Sequence, residues 1–100
     1  MTLIVDGYNL YFTGLRPGGK YVLSAWIRTS DQSVAAKLTV ESFGGEAIAA
    51  ESTLTEWTRK DIPFTVGADS TSATVQLEKT TDGEGHVWGD NFAVQLLDSQ

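Results

Sequence analysis

The segment GHVWGDNFAV (residues 85–94) concentrates polar and aromatic side chains in one short stretch near the C-terminus. It carries the only histidine of the chain, His86, one of the three tryptophans, Trp88, and the pair Asp90 and Asn91. An ordinary sandwich strand needs only alternating apolar and polar residues. An indole covers the C–H face of a sugar ring, and imidazole, carboxylate and amide groups bond to its hydroxyls. The segment is therefore a candidate for binding a polyhydroxylated ligand.

A second set of candidate ligand-binding residues lies on two strands earlier in the chain. In KYVLSAWIRT (residues 20–29), alternating apolar residues face one side and leave Trp26 and Arg28 on the opposite, non-core face. Gln76 and Glu78 take the equivalent non-core positions of a later alternating segment. An aromatic platform with charged and amide neighbours suits a neutral sugar, so these four side chains join the candidates.

The direction of the aromatic side chains in the last strand depends on its register. Strict alternation puts His86 and Trp88 on the same side as Phe92, toward the core. A β-bulge near Gly89 would reverse the register and turn both outward. Two interpretations of Trp88 therefore stay open, a place on the binding face and a cap on the core. Trp57 precedes an alternating apolar segment and is expected in the core.

Residues for catalysis or for a zinc site are scarce. The chain has one histidine and no cysteine, so a Ser-His-Asp arrangement has to use His86, and no nucleophile motif surrounds any serine. Zinc sites require several histidine or cysteine ligands. A glycosidase needs two carboxylates at a defined separation, but 13 acidic residues make some pair unavoidable. The sequence therefore predicts a domain that is not an enzyme.

Length, charge and hydropathy narrow the domain organisation and the partners. The 100 residues are predicted to form one domain, residues 1–100. With 13 acidic and 7 basic residues, the net charge of −6 argues against nucleic acid, whose binders present a clustered basic face, and favours neutral partners. No apolar run approaches the roughly 20 residues that span a bilayer, so a membrane partner is not expected.

Alternating segments and turn signals predict an all-β fold. Turn signals recur at intervals of about ten residues, which is typical of a sandwich or a barrel. The alanine-rich segment at residues 46–54 is compatible with a helix, but the hairpin signal Gly44-Gly45 before it favours a strand. Seven or eight strands without a convincing helix predict an antiparallel β-sandwich.

The order of motifs along the chain resembles a known family. GLRPGGKY looks like the tyrosine corner of fibronectin type III domains, but it comes too early in the chain for that family. The succession PGGKYVLSAWIRT, KLTVESFGG, EWTRKDIPFTVGADSTSATVQLEK and GEGHVWGDNFAV is similar to the jelly-roll carbohydrate-binding modules, which are galactose-binding-domain-like sandwiches. The resemblance covers residues 14–94 and implies a jelly-roll sandwich that lacks part of the family's N-terminal segment.

The resemblance also implies roles for individual residues. Trp26 matches the family's sugar-stacking aromatic, Arg28 and Glu78 its hydroxyl partners, and His86 an assisting residue of the last strand. Asp90 stands where the family often supplies a carboxylate to a structural calcium ion, and Asp6 is the available substitute for the acidic residue of the N-terminal segment. A calcium site at these two aspartates is therefore a prediction from the resemblance.

Two functions follow as expectations. The first is weak, non-catalytic tethering to a neutral polysaccharide or oligosaccharide, in an extracellular or secreted protein in which the module is joined to a catalytic domain. The second is a structural spacer or adhesion domain of a larger secreted or phage-tail-like protein, with the same fold and no sugar site. In either case a missing N-terminal strand would leave a sheet edge exposed for self-association.

Overall fold

The computed structural model describes residues 2–6, the backbone alone, together with residues 9–81 and 84–97. Within those ranges the chain forms eight β-strands. No helix long and apolar enough to cross a bilayer occurs in the described part of the chain. In chain order the strands are β1 (Thr2–Asp6), β2 (Asn9–Thr13), β3 (Lys20–Thr29), β4 (Ala36–Glu41), β5 (Ile48–Ser52), β6 (Thr58–Thr65), β7 (Ser72–Lys79) and β8 (Val87–Leu96).

The strands form two antiparallel sheets that pack face to face. One sheet has five strands in the order β1-β2-β7-β4-β5, and the other has three in the order β6-β3-β8. Every observed strand pairing is antiparallel. The predicted antiparallel β-sandwich of the jelly-roll type is confirmed, and the alanine-rich segment contributes β5 rather than a helix.

The core lies between the sheets and is built from the alternating residues of the central strands. Leu23 and Ile27 of β3 are fully buried, as are Leu38 and Val40 of β4. Burial of each such side chain contributes about 1.5–3 kcal/mol. Because the inward positions of β3 are fixed in this way, the side chains between them must project from the outer face of the three-stranded sheet.

A tyrosine corner secures the turn that leads into β3. The backbone N–H of Arg16 donates a hydrogen bond of 2.7 Å to the Tyr21 hydroxyl. The ring of Tyr21 stacks on Phe64 of β6 with 5.9 Å between the ring centroids. Gly18 has a φ of 75°, a left-handed conformation that favours glycine. The turn and the first residues of β3 are thus held against the neighbouring strand.

A β-bulge in β8 decides which way its aromatic residues point. The register between β3 and β8 shifts between Ser24 and Trp26, where β8 uses one residue more than β3. Asn91 lies in the bulge with a φ of 55°, a left-handed conformation that asparagine tolerates better than most residues. The bulge is centred beyond Gly89 rather than on it. Before the bulge Trp88 faces outward, whereas Phe92 packs against the core.

Candidate functional site

Trp26 and Trp88 project from the outer face of the three-stranded sheet, and Trp57, directly before β6, lies beside Arg28 on the same side. Their exposed fractions are 40% for Trp26, 44% for Trp57 and 41% for Trp88. Two rows of side chains cross the sheet, because residues paired directly across strands share a face. The six residues form what we call the tryptophan face, with Arg59, Trp26 and Asp90 in one row and Arg28 and Trp88 in the other, which Trp57 extends through its contact with Arg28.

Arg28 lies between two indole rings. Its guanidinium carbon is 5.0 Å from the centroid of the Trp88 ring and 5.8 Å from that of Trp57. A cation–π contact of this kind contributes about 0.5–1 kcal/mol at an exposed site. The Arg28 Nε is buried without a hydrogen-bond partner among the described residues. Arg28 therefore meets both indole rings with its guanidinium group, without a hydrogen bond from its Nε to the described residues.

Arg59 is held beside Trp26 by a short polar network. The Ser24 hydroxyl donates to Oδ1 of Asp61 at 2.7 Å, and Nε of Arg59 donates to the same oxygen at 3.1 Å. The Ser24 hydroxyl, and then the Arg59 guanidinium, lower the pKa of Asp61 below its ordinary value of 3.8. Since a carboxylate anchors it, the guanidinium lies at a defined place next to the most central indole.

Asp90 borders Trp26 on the other side. Its Oδ1 accepts a 2.8 Å hydrogen bond from the backbone N–H of Asn91, which supports the bulge. Among the described residues no group of three or more His, Cys, Asp or Glu side chains could hold a metal ion. The side chain of Asp6, the second predicted ligand, lies outside the described part of the structure. Calcium binding at Asp90 stays a prediction.

The structure brings some of the predicted residues together and separates others. Trp26, Arg28 and Trp88 meet on one face, as alternation and a bulge together predict. The expectation that Trp57 lies in the core was wrong, because its side chain is 44% exposed beside Arg28. Alternation already contained this signal. Trp57 precedes Arg59 by two positions, so the alternation of β6, continued one residue before its first residue Thr58, puts Trp57 on the same side as Arg59.

Gln76 and Glu78 lie on the other sheet. Both belong to β7, the central strand of the five-stranded sheet, and neither is part of the tryptophan face. The Gln76 Nε2 donates a 2.7 Å hydrogen bond to Oδ1 of Asn9, its partner across the β2–β7 pair. Alternation correctly predicted that these side chains avoid the core, but not which sheet they belong to.

A cleft of about 720 Å³ opens where the edge of β8 approaches β7. Gln76, Glu78 and His86 line it, so it unites three predicted residues that the tryptophan face leaves out. The backbone N–H of His86 donates to the Ser30 hydroxyl at 2.8 Å. The His86 ring is exposed, and its centroid is 6.0 Å from that of Trp88. His86 thus stands between this edge cleft and the tryptophan face.

At the level of sequence, the chain is similar to part of a longer enzyme. No profile of a known protein family matches the sequence. The chain is 32% identical over 87 residues to the keratan-sulfate endo-1,4-beta-galactosidase of Sphingobacterium multivorum. That match takes in 87% of this chain and 20% of the relative, so the chain spans about one fifth of the length of the enzyme it resembles.

A solved structure shows the same fold. The carbohydrate-binding module TmCBM61, determined in complex with beta-1,4-galactotriose, superimposes with a TM-score of 0.63 at 18% sequence identity. The superposition covers 88% of this chain and 61% of that chain. The predicted resemblance is confirmed at the level of the fold. The chain has the β-sandwich fold of a carbohydrate-binding module.

Proposed function

We propose that this domain is a non-catalytic carbohydrate-binding module that tethers a larger protein to a neutral polysaccharide. The tryptophan face is its binding surface, and chains of β-linked galactose are the first ligands to be tested. The relative's name describes an endo-galactosidase and the structural neighbour holds a galactotriose, which supports galactose as the starting point. Its place of action is outside the cell, where such polysaccharides occur.

One observation carries the proposal: three indoles, each about two-fifths exposed, lie on the outer side of the three-stranded sheet, and two of them contact Arg28. Contiguous exposed apolar surface on a globular domain marks a binding site. On either side of Trp26, Arg59 supplies hydrogen-bond donors and Asp90 supplies acceptors. An indole beneath a pyranose with charged groups at the ring's edge satisfies both the C–H face and the hydroxyls of a sugar.

The expected affinity is modest. Covering about 100 Å² of apolar sugar and indole surface contributes about 2.5 kcal/mol at roughly 25 cal/mol per Å². Three or four hydrogen bonds to charged partners add about 1.5 kcal/mol each. After the cost of association, a Kd between roughly millimolar and tens of micromolar remains. Such a weak affinity is sufficient for a module joined to a catalytic domain, because the tether raises the effective concentration of the enzyme at its substrate.

The alternative function is that of a spacer or adhesion domain without a sugar site. A spacer has no need of an exposed row of aromatic and cationic side chains, so the tryptophan face argues against it. The same face would also support self-association if it packed against a second copy. Both alternatives predict that soluble sugars leave the indole environment unchanged.

The test is a titration of the domain with β-1,4-galactotriose, followed by tryptophan emission and by calorimetry. Stacking on an indole should shift the emission, and Trp26→Ala should abolish or strongly weaken binding. Leu97→Ala is the control, since Leu97 is 48% exposed near Lys20, at the end of β3 far from Arg28. A flat response across galactans, glucans, xylans and mannans, with wild-type melting behaviour, would rule out the proposal in favour of the spacer.

A further inference from the structure

The edge cleft has the composition of a small-molecule site. Its volume of about 720 Å³ falls within the range of roughly 300–1,000 Å³ that ligand pockets occupy. Leu10, Leu77 and Phe92 supply an apolar lining. Asn9, Gln76, Glu78 and His86 supply polar groups around it. A ligand that fits must therefore offer both an apolar surface and several hydrogen-bonding groups.

The amides of Gln76 and Asn9 form a fixed donor–acceptor pair at the rim of this cleft, on the face of the five-stranded sheet opposite to Leu10 and Leu77. The 2.7 Å bond between them uses one N–H of Gln76 and the carbonyl oxygen of Asn9. It leaves the carbonyl oxygen of Gln76 as an acceptor and the NH₂ group of Asn9 as a donor. Two neighbouring hydroxyls, one donating and one accepting, match such a pair. Adjacent hydroxyls of this kind are the common feature of sugar rings.

The charges around the cleft exclude other ligand classes. The described residues include no cluster of three or more acidic, histidine or cysteine side chains, which argues against a metal ion. Two oppositely charged residues, Glu78 and Lys79, line the cleft, so its formal charge is close to neutral. An anionic or cationic ligand would find no clustered counter-charge there. A neutral polyhydroxylated ligand meets no such obstacle.

Glycines keep one wall of the cleft open. Gly85 and Gly89 line it, and a Cβ added at Gly89 would lie 2.5 Å from Cζ of Phe92 and 2.7 Å from Cδ2 of Leu77. Any side chain at Gly89 therefore displaces the apolar lining. At Gly85 and Gly89 the wall next to β8 is backbone alone, which allows a ring to approach closely there.

We infer that the edge cleft is a second saccharide-binding subsite, continuous with the tryptophan face around the edge of β8. The inference rests on the proposed function for the tryptophan face. His86 lines the cleft and its ring centroid lies 6.0 Å from that of Trp88, so the two surfaces adjoin at His86. A single oligosaccharide that reaches both surfaces, or two separate chain ends, would be held at two places on one module.

The experiment is a nuclear magnetic resonance titration of the ¹⁵N-labelled domain with β-1,4-galactotriose, and then with the corresponding sugars of glucose, xylose and mannose. The backbone amides of Leu77 and Gly89 report on the cleft. The indole N–H groups of Trp26 and Trp57 report on the tryptophan face. With at least one of these sugars we expect saturable shifts at both sets of signals.

Two variants assign the shifts to the cleft. Gln76→Ala removes the amide pair and should weaken the Kd read from the cleft signals about tenfold, which corresponds to one lost hydrogen bond of about 1.4 kcal/mol. Glu78→Gln should weaken it severalfold and retains the side-chain shape. Glu51→Gln is the matched control, because Glu51 and Glu78 both pair with Lys37 across the same sheet, but Glu51 does not line the cleft.

The possible outcomes separate the two claims. Indole shifts without any cleft shift for every sugar would overturn the second subsite and leave the tryptophan face as proposed. Cleft shifts without indole shifts would overturn the tryptophan face as a binding surface, and with it the claim that the cleft is a second subsite, although the cleft itself would still bind the sugar. Cleft shifts of undiminished affinity in both Gln76→Ala and Glu78→Gln, with wild-type melting temperatures, would show that the amide pair and the carboxylate do not bind, and would overturn the assignment.

Discussion

The guanidinium carbon of Arg28 lies 5.0 Å from the centroid of the Trp88 ring, across the β3–β8 pair. The same guanidinium lies 5.8 Å from Trp57 on the other side. One cation therefore bridges the ring of Trp88 in β8 and the ring of Trp57, the residue directly before β6. Both rings are exposed, and both contact the same guanidinium. Arg28 is therefore the residue that connects the two indoles of this row.

Replacement of Arg28 tests that role. Arg28→Ala removes the guanidinium between the rings, and we expect the loss of this contact to lower sugar affinity about tenfold, which corresponds to about 1.4 kcal/mol. Arg28→Lys keeps the charge but not the planar guanidinium, and should recover only part of the affinity. Calorimetry with β-1,4-galactotriose measures both. Full affinity in Arg28→Ala would show that the rings hold their positions without it.

Replacement of Trp57 tests whether its side chain contributes to sugar binding or to the stability of the core. Truncation of a buried tryptophan costs about 3–5 kcal/mol, but the Trp57 side chain is 44% exposed. We expect Trp57→Ala to lower the free energy of unfolding by well under that amount, and to weaken sugar binding. Phe64 is buried and serves as the comparison, since Phe64→Ala should lower the free energy of unfolding by about 3–5 kcal/mol. Urea denaturation gives both values. A loss for Trp57→Ala as large as that for Phe64→Ala would place Trp57 in the core after all.

The sequence predicted the architecture well because the alternation of residues within each strand indicates which side chains face the core and which face outward. Alternation in β3 depends only on local residue order, so the outward direction of Trp26 and Arg28 followed from it directly. The sheet to which Gln76 belongs did not, because the pairing of β7 between β2 and β4 is a long-range property. The sequence also did not predict the exact position of the bulge in β8. Glycine is the usual signal, but here the left-handed residue is Asn91.

Asp61 makes stability depend on pH. Its folded-state pKa lies below the ordinary value of 3.8, because the carboxylate accepts hydrogen bonds from Ser24 and Arg59. A depressed pKa means that its stabilisation is present above pH 3.8 and is lost as the pH falls through the lower folded value. We therefore expect Asp61→Asn to remove part of the loss of stability that occurs on acidification below that pH.

Urea denaturation at a series of pH values measures this effect. Asp69→Asn, which removes an acidic group from an exposed turn between β6 and β7, is the control. The difference between wild type and Asp61→Asn should shrink as the pH falls. A difference that is independent of pH would mean that the carboxylate's charge contributes nothing to the network around Arg59.

The predicted calcium site at Asp90 is open to a direct thermal test. An ion that binds only the folded state raises stability in proportion to the logarithm of its concentration above the Kd. Millimolar calcium should therefore raise the melting temperature relative to EDTA, and Asp90→Asn should remove the increase. Equal melting temperatures in calcium and EDTA would eliminate the site, and would leave the hydrogen bond to the Asn91 N–H as the role of this carboxylate.

Asn91 is the residue through which the bulge controls the binding surface. Its φ of 55° is accessible to asparagine and glycine, but strained for β-branched residues. We expect Asn91→Gly to fold with near-native stability and to keep sugar affinity.

Asn91→Val should lower the free energy of unfolding by about 1–2 kcal/mol, the usual penalty of a left-handed conformation. If valine instead forces the bulge out of the strand, Trp88 and Asp90 would turn toward the core, because a shift of one residue exchanges the two faces. Circular dichroism of the folded variant and galactotriose calorimetry distinguish these cases. Wild-type stability together with wild-type affinity in Asn91→Val would show that the bulge does not depend on this residue.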